Sequence, residues 1–262
     1  MPEGDTVWQV AGQLRAALLD RPLTVCDIRV PRFATVDLTP GPVDEVVSRG
    51  KHLLIRVGGQ TVHTHLKMEG AWHVYPEGGR WRRPAWQARI LLGTTDSLAV
   101  GFQLGIVEVL VADEEERAVG HLGPDLLGPD WDPGRAATNL ATDACRPIGL
   151  ALLDQRVMAG VGNVYRNELC FLRGVHPATP VAAAGDPHAW TELAHRLLLA
   201  NRDRAVRITT GDRRRGRTTW VYGRSGRPCL RCGTLVMGGV LGDGTHEAER
   251  QIFWCPRCQP SA

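Results

Sequence analysis

Lysine is nearly absent. Lys51 and Lys67 are the only two in a chain of 262 residues with 31 basic side chains, so chemistry that needs a lysine amine has two candidates. Long apolar runs are missing as well. No stretch approaches the ~18 consecutive apolar residues of a membrane-crossing helix. The start, Met1-Pro2-Glu3-Gly4-Asp5, has neither the basic end nor the apolar core of a secretory signal. A soluble cytoplasmic protein is expected. There is no internal repeat. Seven cysteines, an odd number, form no disulfide framework, which suits a reducing compartment. Cys26, Cys145 and Cys170 stand in apolar surroundings and are expected to be buried thiols.

What is present is globular in kind. Hydrophobic residues make up 43% and charged residues 23%, which excludes disordered, collagen-like and coiled-coil chains. At ~150 residues per domain, the length suggests about two domains. The net charge of +3 is unevenly spread: from Arg204 onward there are 11 basic and 4 acidic residues, and the rest of the chain is net acidic. Such a tail fits either a polyanion partner, nucleic acid first, or a solvated basic face.

The period of the apolar residues changes along the chain. Val7, Val10, Ala11, Leu14 and Leu18 mark a helix opened by Pro2, with Glu3 and Asp5 at the positive end of its dipole. Strand-like runs follow at 23–30, 43–48, 52–57, 61–66, 71–75, 88–92, 97–102 and 106–111, a pattern of an all-β sandwich or barrel. The acidic run 113–116 reads as a solvated turn, and the Pro-, Gly- and Asp-rich stretch 123–134 as a linker. Helical spacing then predicts one helix from Pro147 to about Ala159, a second from about Val164, and a long one over 190–207. A basic loop at 212–217 leads to a strand-like piece at 218–222.

The strongest local motif is Cys229-x-x-Cys232 followed, after 22 intervening residues, by Cys255-x-x-Cys258. Two such pairs bring four thiolates to one tetrahedral Zn²⁺, with a redox pair or free thiols as alternatives. Four cysteine ligands leave no open position, so the metal would be structural. The runs 235–241 and 251–254 alternate as strands, with Gly242-Asp243-Gly244 as the turn, which predicts a zinc-bound β-hairpin. Arg250 lies on that hairpin. Gly160-Val161-Gly162-Asn163 joins two helices and reads either as a tight turn or as a phosphate clamp at a helix N-terminus. Pro2, once Met1 is removed, would be a secondary amine of lowered pKa able to form an iminium with an aldehyde-level carbon, with Glu3 beside it to move protons. A Met-Pro start is also common without any such role.

Several motifs occur together and in order: Pro2-Glu3-Gly4-Asp5, Gly50-Lys51-His52-Leu53-Leu54, His121-Leu122-Gly123-Pro124-Asp125, Gly160-Val161-Gly162-Asn163-Val164-Tyr165-Arg166-Asn167-Glu168, Val221-Tyr222-Gly223-Arg224 and the four cysteines. Nearly the whole chain resembles the formamidopyrimidine-DNA glycosylase/endonuclease VIII family, and most the actinobacterial members of its endonuclease VIII branch. The resemblance implies an α+β multidomain fold: an N-terminal helix plus β-sandwich over 1–125, an all-α helix–two-turn–helix domain over 135–222, and a C-terminal β-hairpin zinc finger over 223–262. It implies a monomeric glycosylase and abasic-site lyase acting on damaged DNA, duplex and also single-stranded or bubble. Pro2 matches the Schiff-base nucleophile, Glu3 the general acid, Lys51 the lysine that contacts phosphate and assists elimination, and Arg250 the arginine of the zinc-finger hairpin. Asn163 matches an asparagine that holds backbone phosphate. Met68, in the turn 66–70, is a wedge candidate as well as an ordinary turn residue, and His121 falls among the DNA contacts.

Two departures bear on the target base. The formamidopyrimidine branch carries an Arg-Phe pair in a strand turn, where this chain reads Gly101-Phe102-Gln103-Leu104-Gly105. The segment between Thr210 and Val221 is shorter than the loop that covers 8-oxoguanine there. Both favour oxidised pyrimidines. The alternative from another class is a non-catalytic zinc protein that binds nucleic acid, which the intact Pro2, Glu3 and Lys51 oppose.

Overall fold

Helix α1 (Gly4–Leu18) forms over the predicted apolar stripe but starts two residues after Pro2, with Glu3 as its N-cap. Val7, Ala11, Leu14 and Leu18 are buried along one face, and Arg15 ties the helix to the sheet below by donating to the Val46 carbonyl at 3.1 and 2.7 Å. A computed structural model describes residues 2–242 and 249–260. The chain divides into two compact units, 1–121 and 122–262.

In the first unit eight strands follow α1: β1 (Val25–Ile28), β2 (Val43–Arg49), β3 (His52–Val57), β4 (Gln60–His65), β5 (Ala71–Pro76), β6 (Ala88–Gly93), β7 (Ser97–Phe102) and β8 (Ile106–Val111). They form two antiparallel four-stranded sheets, β1-β6-β7-β5 and β2-β3-β4-β8. Inward residues of both, among them Val46, Ile55 and Val62 from one and Ile28, Ile90 and Leu92 from the other, share one core with α1. Each such side chain contributes about 1.5–3 kcal/mol on burial. Of the sandwich or barrel that the alternating runs predict, the two sheets form the sandwich.

The acidic run is not a solvated turn. It lies in α2 (Ala112–Val119), where Glu115 accepts from Arg56 at 3.2 and 2.5 Å and from the Thr61 hydroxyl at 2.6 Å. Two cross-strand partners on the sheet hold it, and sequence spacing does not reveal them.

The second unit holds α3 (Pro133–Ala141), α4 (Ile148–Ala151), α5 (Asn163–Arg173) and α6 (Pro187–Asn201), then the antiparallel pair β9 (Met237–Leu241) and β10 (Arg250–Trp254). The stretch 123–134 is packed rather than tethering. Residues 122–127 are buried, and Asp132 caps α3 by accepting the Arg135 N–H at 2.9 Å. The helix expected from Pro147 stops after one turn, because Asp154 captures the Arg156 backbone and side chain and the segment turns twice. The helix over 190–207 ends at Asn201, whose buried amide bonds Ile208 on both sides. Residues 218–222 form no strand, since the Glu168 carboxylate takes the N–H groups of Trp220, Val221 and Tyr222. The hairpin turn at Asp243 and Gly244 lies outside the described residues. Of the three scattered thiols, Cys170 is buried, Cys26 half-buried and Cys145 exposed, the last because it sits in the α3–α4 loop and not on a periodic face.

Candidate functional site

In the first unit Pro2 precedes Glu3, the N-cap of α1. Glu3 is wholly buried, and its carbonyl accepts the Val7 N–H at 3.1 Å. A buried carboxyl-bearing residue thus directly follows residue 2 in the chain, at the positive end of a 15-residue helix. Lys51 sits in the two-residue connection between β2 and β3, flanked by the pair Arg49 and His52. Gly50 takes φ +58° there, a conformation that other side chains seldom adopt, so the tight presentation of Lys51 depends on it. Met68 is 62% exposed in the turn from β4 to β5, which Gly70 closes by donating to the Leu66 carbonyl at 2.9 Å.

Register brings together histidines that lie on separate strands in the sequence. His52 pairs with His65 across β3 and β4, and His63 with Glu108 across β4 and β8. The spacing of His63 and His65 puts both on one face of the strand, and that alternation was the available signal. His63 is buried, with Nδ1 3.1 Å from the Glu108 carboxylate and Nε2 2.8 Å from His52 Nδ1. Burial first, then the charges of His65, His63, His121 and Lys67, hold His52 down at about 3. Burial, Lys67, Lys51 and His63 hold His65 at about 4. Both rings are neutral at pH 7. Because Nδ1 of His65 accepts the Lys67 backbone N–H at 2.9 Å, its proton belongs on Nε2. His65 therefore offers an N–H donor in the field of Lys51. His121 is exposed at the end of the unit.

In the second unit Asn163 is the first residue of α5, after a turn in which Gly160 takes φ +117°. Gln155 braces that turn, accepting from Gly160 N–H at 3.0 Å and donating to the Val161 carbonyl at 3.0 Å. Asn163 is buried. Its Nδ2 donates to the Gln251 carbonyl at 3.1 Å, and its Oδ1 accepts from Arg166. Arg166 also reaches the Gln251 carbonyl at 3.0 Å, and Asn167 accepts the Phe253 N–H at 2.7 Å. Arg250, exposed, is the neighbour of Gln251 on β10, so one joint locks the N-terminus of α5 to the strand that carries Arg250. Glu168, fully buried, accepts from the N–H groups of Trp220, Val221 and Tyr222 at 2.7–2.9 Å and from the Thr209 hydroxyl. Burial pushes its carboxyl up, against those four donors.

The ligand atoms of Cys229, Cys232, Cys255 and Cys258 lie within 4.8 Å of one another, and Cys232 and Cys255 sulfurs are 3.5 Å apart. A tetrahedron with metal–sulfur bonds of about 2.3 Å needs sulfurs about 3.8 Å apart, so the four thiols suit a metal ion.

The formamidopyrimidine-DNA glycosylase N-terminal domain matches residues 1–103, and the H2TH domain of formamidopyrimidine-DNA glycosylase matches residues 122–207. The chain belongs to the formamidopyrimidine-DNA glycosylase/endonuclease VIII family. It is 58% identical to the probable endonuclease 8 2 of Streptomyces coelicolor, over 99% of this chain and 94% of that one. It is 55% identical to the DNA-(apurinic or apyrimidinic site) lyase Nei2 of Mycolicibacterium smegmatis over the full length of both. The fold is that of MutM in its complex with DNA containing carbocyclic 8-oxo-G, with a TM-score of 0.81 at 20% identity over 99% of this chain and all of that one. The Lactococcus lactis Fpg complex with abasic-site DNA gives a TM-score of 0.76 at 21% identity, over the same shares.

Proposed function

We propose that this protein is a bifunctional DNA glycosylase and abasic-site lyase of base excision repair, acting mainly on oxidised pyrimidines. The observation that carries the reading is the buried Glu3 at the N-cap of α1, directly after Pro2, in a chain of this family. With Met1 removed, the Pro2 amine attacks C1′ of a nucleotide flipped out of the stack. The base leaves with a proton, and Glu3 assists base release and ring opening. The resulting iminium acidifies C2′. Loss of a C2′ proton expels the 3′ phosphate, a second elimination expels the 5′ phosphate, and water releases the sugar remnant from Pro2.

Lys51 contacts phosphate and assists elimination, Asn163 and His121 contact the backbone, Arg250 holds phosphate from the hairpin, and Met68 wedges into the vacated stack. The division 1–125, 135–222 and 223–262 is read as catalytic domain, helix–two-turn–helix domain and finger. Zn²⁺ is the metal we assign to the four cysteines; when bound it supplies no chemistry, only the shape of the hairpin around Arg250. Damaged DNA is the partner of a monomer, in the cytoplasm, where the nucleoid lies.

Borohydride trapping on abasic-site DNA tests the reading. A covalent adduct that disappears in Pro2→Gly supports it. A protein that binds such DNA and never traps would return it to the class of non-catalytic binders.

A further inference from the structure

Residues 79–89 read Gly-Arg-Trp-Arg-Arg-Pro-Ala-Trp-Gln-Ala-Arg, with four arginines, two tryptophans and no acid. The segment joins β5 to β6 in the first unit and is firmly held. Trp81 packs against the edge of Phe102 with ring centroids 5.7 Å apart, and the Arg29 guanidinium lies 5.9 Å from the Trp81 ring. The Tyr75 hydroxyl accepts the Arg82 backbone N–H at 3.0 Å, and the Ala85 carbonyl accepts from Arg29 at 3.4 Å. After Pro84 comes a single 3-10 turn, Ala85–Gln87.

The two tryptophans are placed in opposite ways. Trp81 is the anchor. Trp86 stands on the 3-10 turn at 78% exposure, the most exposed large hydrophobic side chain among the described residues. Arg80, Arg82 and Arg89 are exposed as well. Arg83 is turned to another use. Its Nη1 donates to the Glu69 carbonyl at 3.1 Å and to Gln103 Oε1 at 3.2 Å. The Gln103 N–H in turn donates to the Gln87 carbonyl at 2.8 Å. The ledge 79–89, the turn that carries Met68 and the turn at 103–105 are therefore one corner of the first unit.

We propose that the segment 79–89 docks single-stranded DNA, with Trp86 stacked on an unpaired base and Arg80, Arg82 and Arg89 on the flanking phosphates. The charge of the segment selects a polyanion. The tryptophan selects the kind: a base inside a duplex has no free face to offer, whereas every unpaired base has one. A tryptophan has only two side-chain torsions to fix, so it loses little freedom on stacking. The proposal rests on the glycosylase/lyase reading and extends it from the damaged nucleotide to the strand beside it.

Fluorescence anisotropy at fixed ionic strength tests it, using an oligonucleotide with a tetrahydrofuran abasic analogue, alone and annealed to its complement. Trp86→Ala should raise the Kd for the single strand at least tenfold, about 1.4 kcal/mol, and leave the duplex within twofold. Trp86→Phe should restore most of the single-strand affinity. Replacing Arg80, Arg82 and Arg89 by Ser should flatten the salt dependence of single-strand binding. Equal losses on both substrates, or no loss on either, overturn the proposal. Trapping on duplex abasic DNA is run beside it. A wild-type protein that fails to trap removes the glycosylase/lyase reading, while the single-strand comparison still decides the role of Trp86.

Discussion

The side-chain amide of Asn163 donates to the backbone carbonyl of Gln251 across 3.1 Å, so a residue matched to phosphate binding is also the pin between helix α5 and strand β10. The Gln251 carbonyl collects Asn163 and Arg166 together, and Arg166 closes the ring on Asn163 Oδ1. A change at Asn163 therefore reports on two things, the joint and the DNA contact we propose for it.

The two can be separated. Asn163→Asp keeps size and shape but turns the donor into a carboxylate facing a carbonyl oxygen. Leaving that buried acceptor opposed costs about 1–3 kcal/mol. The melting temperature should fall by several degrees in the absence of any DNA. A variant that melts like the native protein, yet binds DNA poorly, would show that the joint carries no stability.

The N-terminal chemistry makes a sharper demand. Pro2→Gly, or any residue left in front of Pro2, should abolish base excision and borohydride trapping while DNA binding stays within a few fold. Affinity rests on phosphate contacts spread over the interface, and the iminium rests on one amine. Full excision by a protein with an extra N-terminal residue would remove Pro2 from the mechanism.

Metal release is the third expected outcome. Cys255→Ser or Cys258→Ser should expel the metal, Zn²⁺ in our proposal, and loosen β9 and β10, because Cys229 and Cys255 share a small core with Phe171, Val221 and Val236. Structural zinc contributes folding energy directly, and a core of this size does not replace it. DNA binding should drop while the sandwich of the first unit keeps its strand signal in circular dichroism. Metal-free protein that binds abasic DNA as tightly as the holo form would contradict this.

The histidine cluster sets a pH dependence with a definite sign. His52 and His65 have folded pKa values of about 3 and about 4, below the unfolded value of about 6.5. Above pH ~6.5 neither state is protonated and their contribution is complete. As the pH falls below that, the unfolded chain takes up protons that the fold refuses. Stability declines by up to about 1.4 kcal/mol per pH unit for each ring until the folded pKa is reached. Ordinary carboxylates titrate lower, so the window between pH 6.5 and 5 isolates the histidines. Urea melts at pH 7 and pH 5 measure it. Equal stability at both would mean the two rings protonate in the folded state.

Much of this was legible from residue types and spacing. The eight strand runs and α1 follow from period and composition, because those elements bury one face against the core of the first unit, and the cysteine pairs follow from their spacing alone. What escaped depends on contacts distant in sequence. Residues 218–222 look like a strand, but the buried carboxylate of Glu168, more than fifty positions earlier, takes three of their N–H groups and holds them as a turn. Pro147 to Ala159 has helical spacing, yet Asp154 and Gln155 bond the backbone of their own loop and stop the helix. The cluster of His52, His63 and His65 appears only once the register of β3, β4 and β8 is known. The site residues Pro2, Lys51, Asn163 and Arg250 were named by resemblance; their own chemistry left each of them ambiguous.

Thymine glycol or dihydrouracil should be excised at least about tenfold faster than 8-oxoguanine paired with cytosine, or ~1.4 kcal/mol in barrier. Oxidised pyrimidines that have lost aromaticity stack poorly, so extruding them costs less. The turn at 103–105 carries no arginine to fill the gap a flipped purine leaves. The guanidinium of Arg83 is bonded to Gln103 and to the Glu69 carbonyl and so braces the turn. The segment between Thr210 and Val221 is short, and Thr209 and Trp220 at its ends are both bonded to Glu168, which limits its reach toward a base. Excision should then depend little on the opposite base. A competition assay with matched oligonucleotides decides the matter. Preferential removal of 8-oxoguanine opposite cytosine would mean that another segment builds the purine pocket, and Arg83→Ala would be the first variant to try for its collapse.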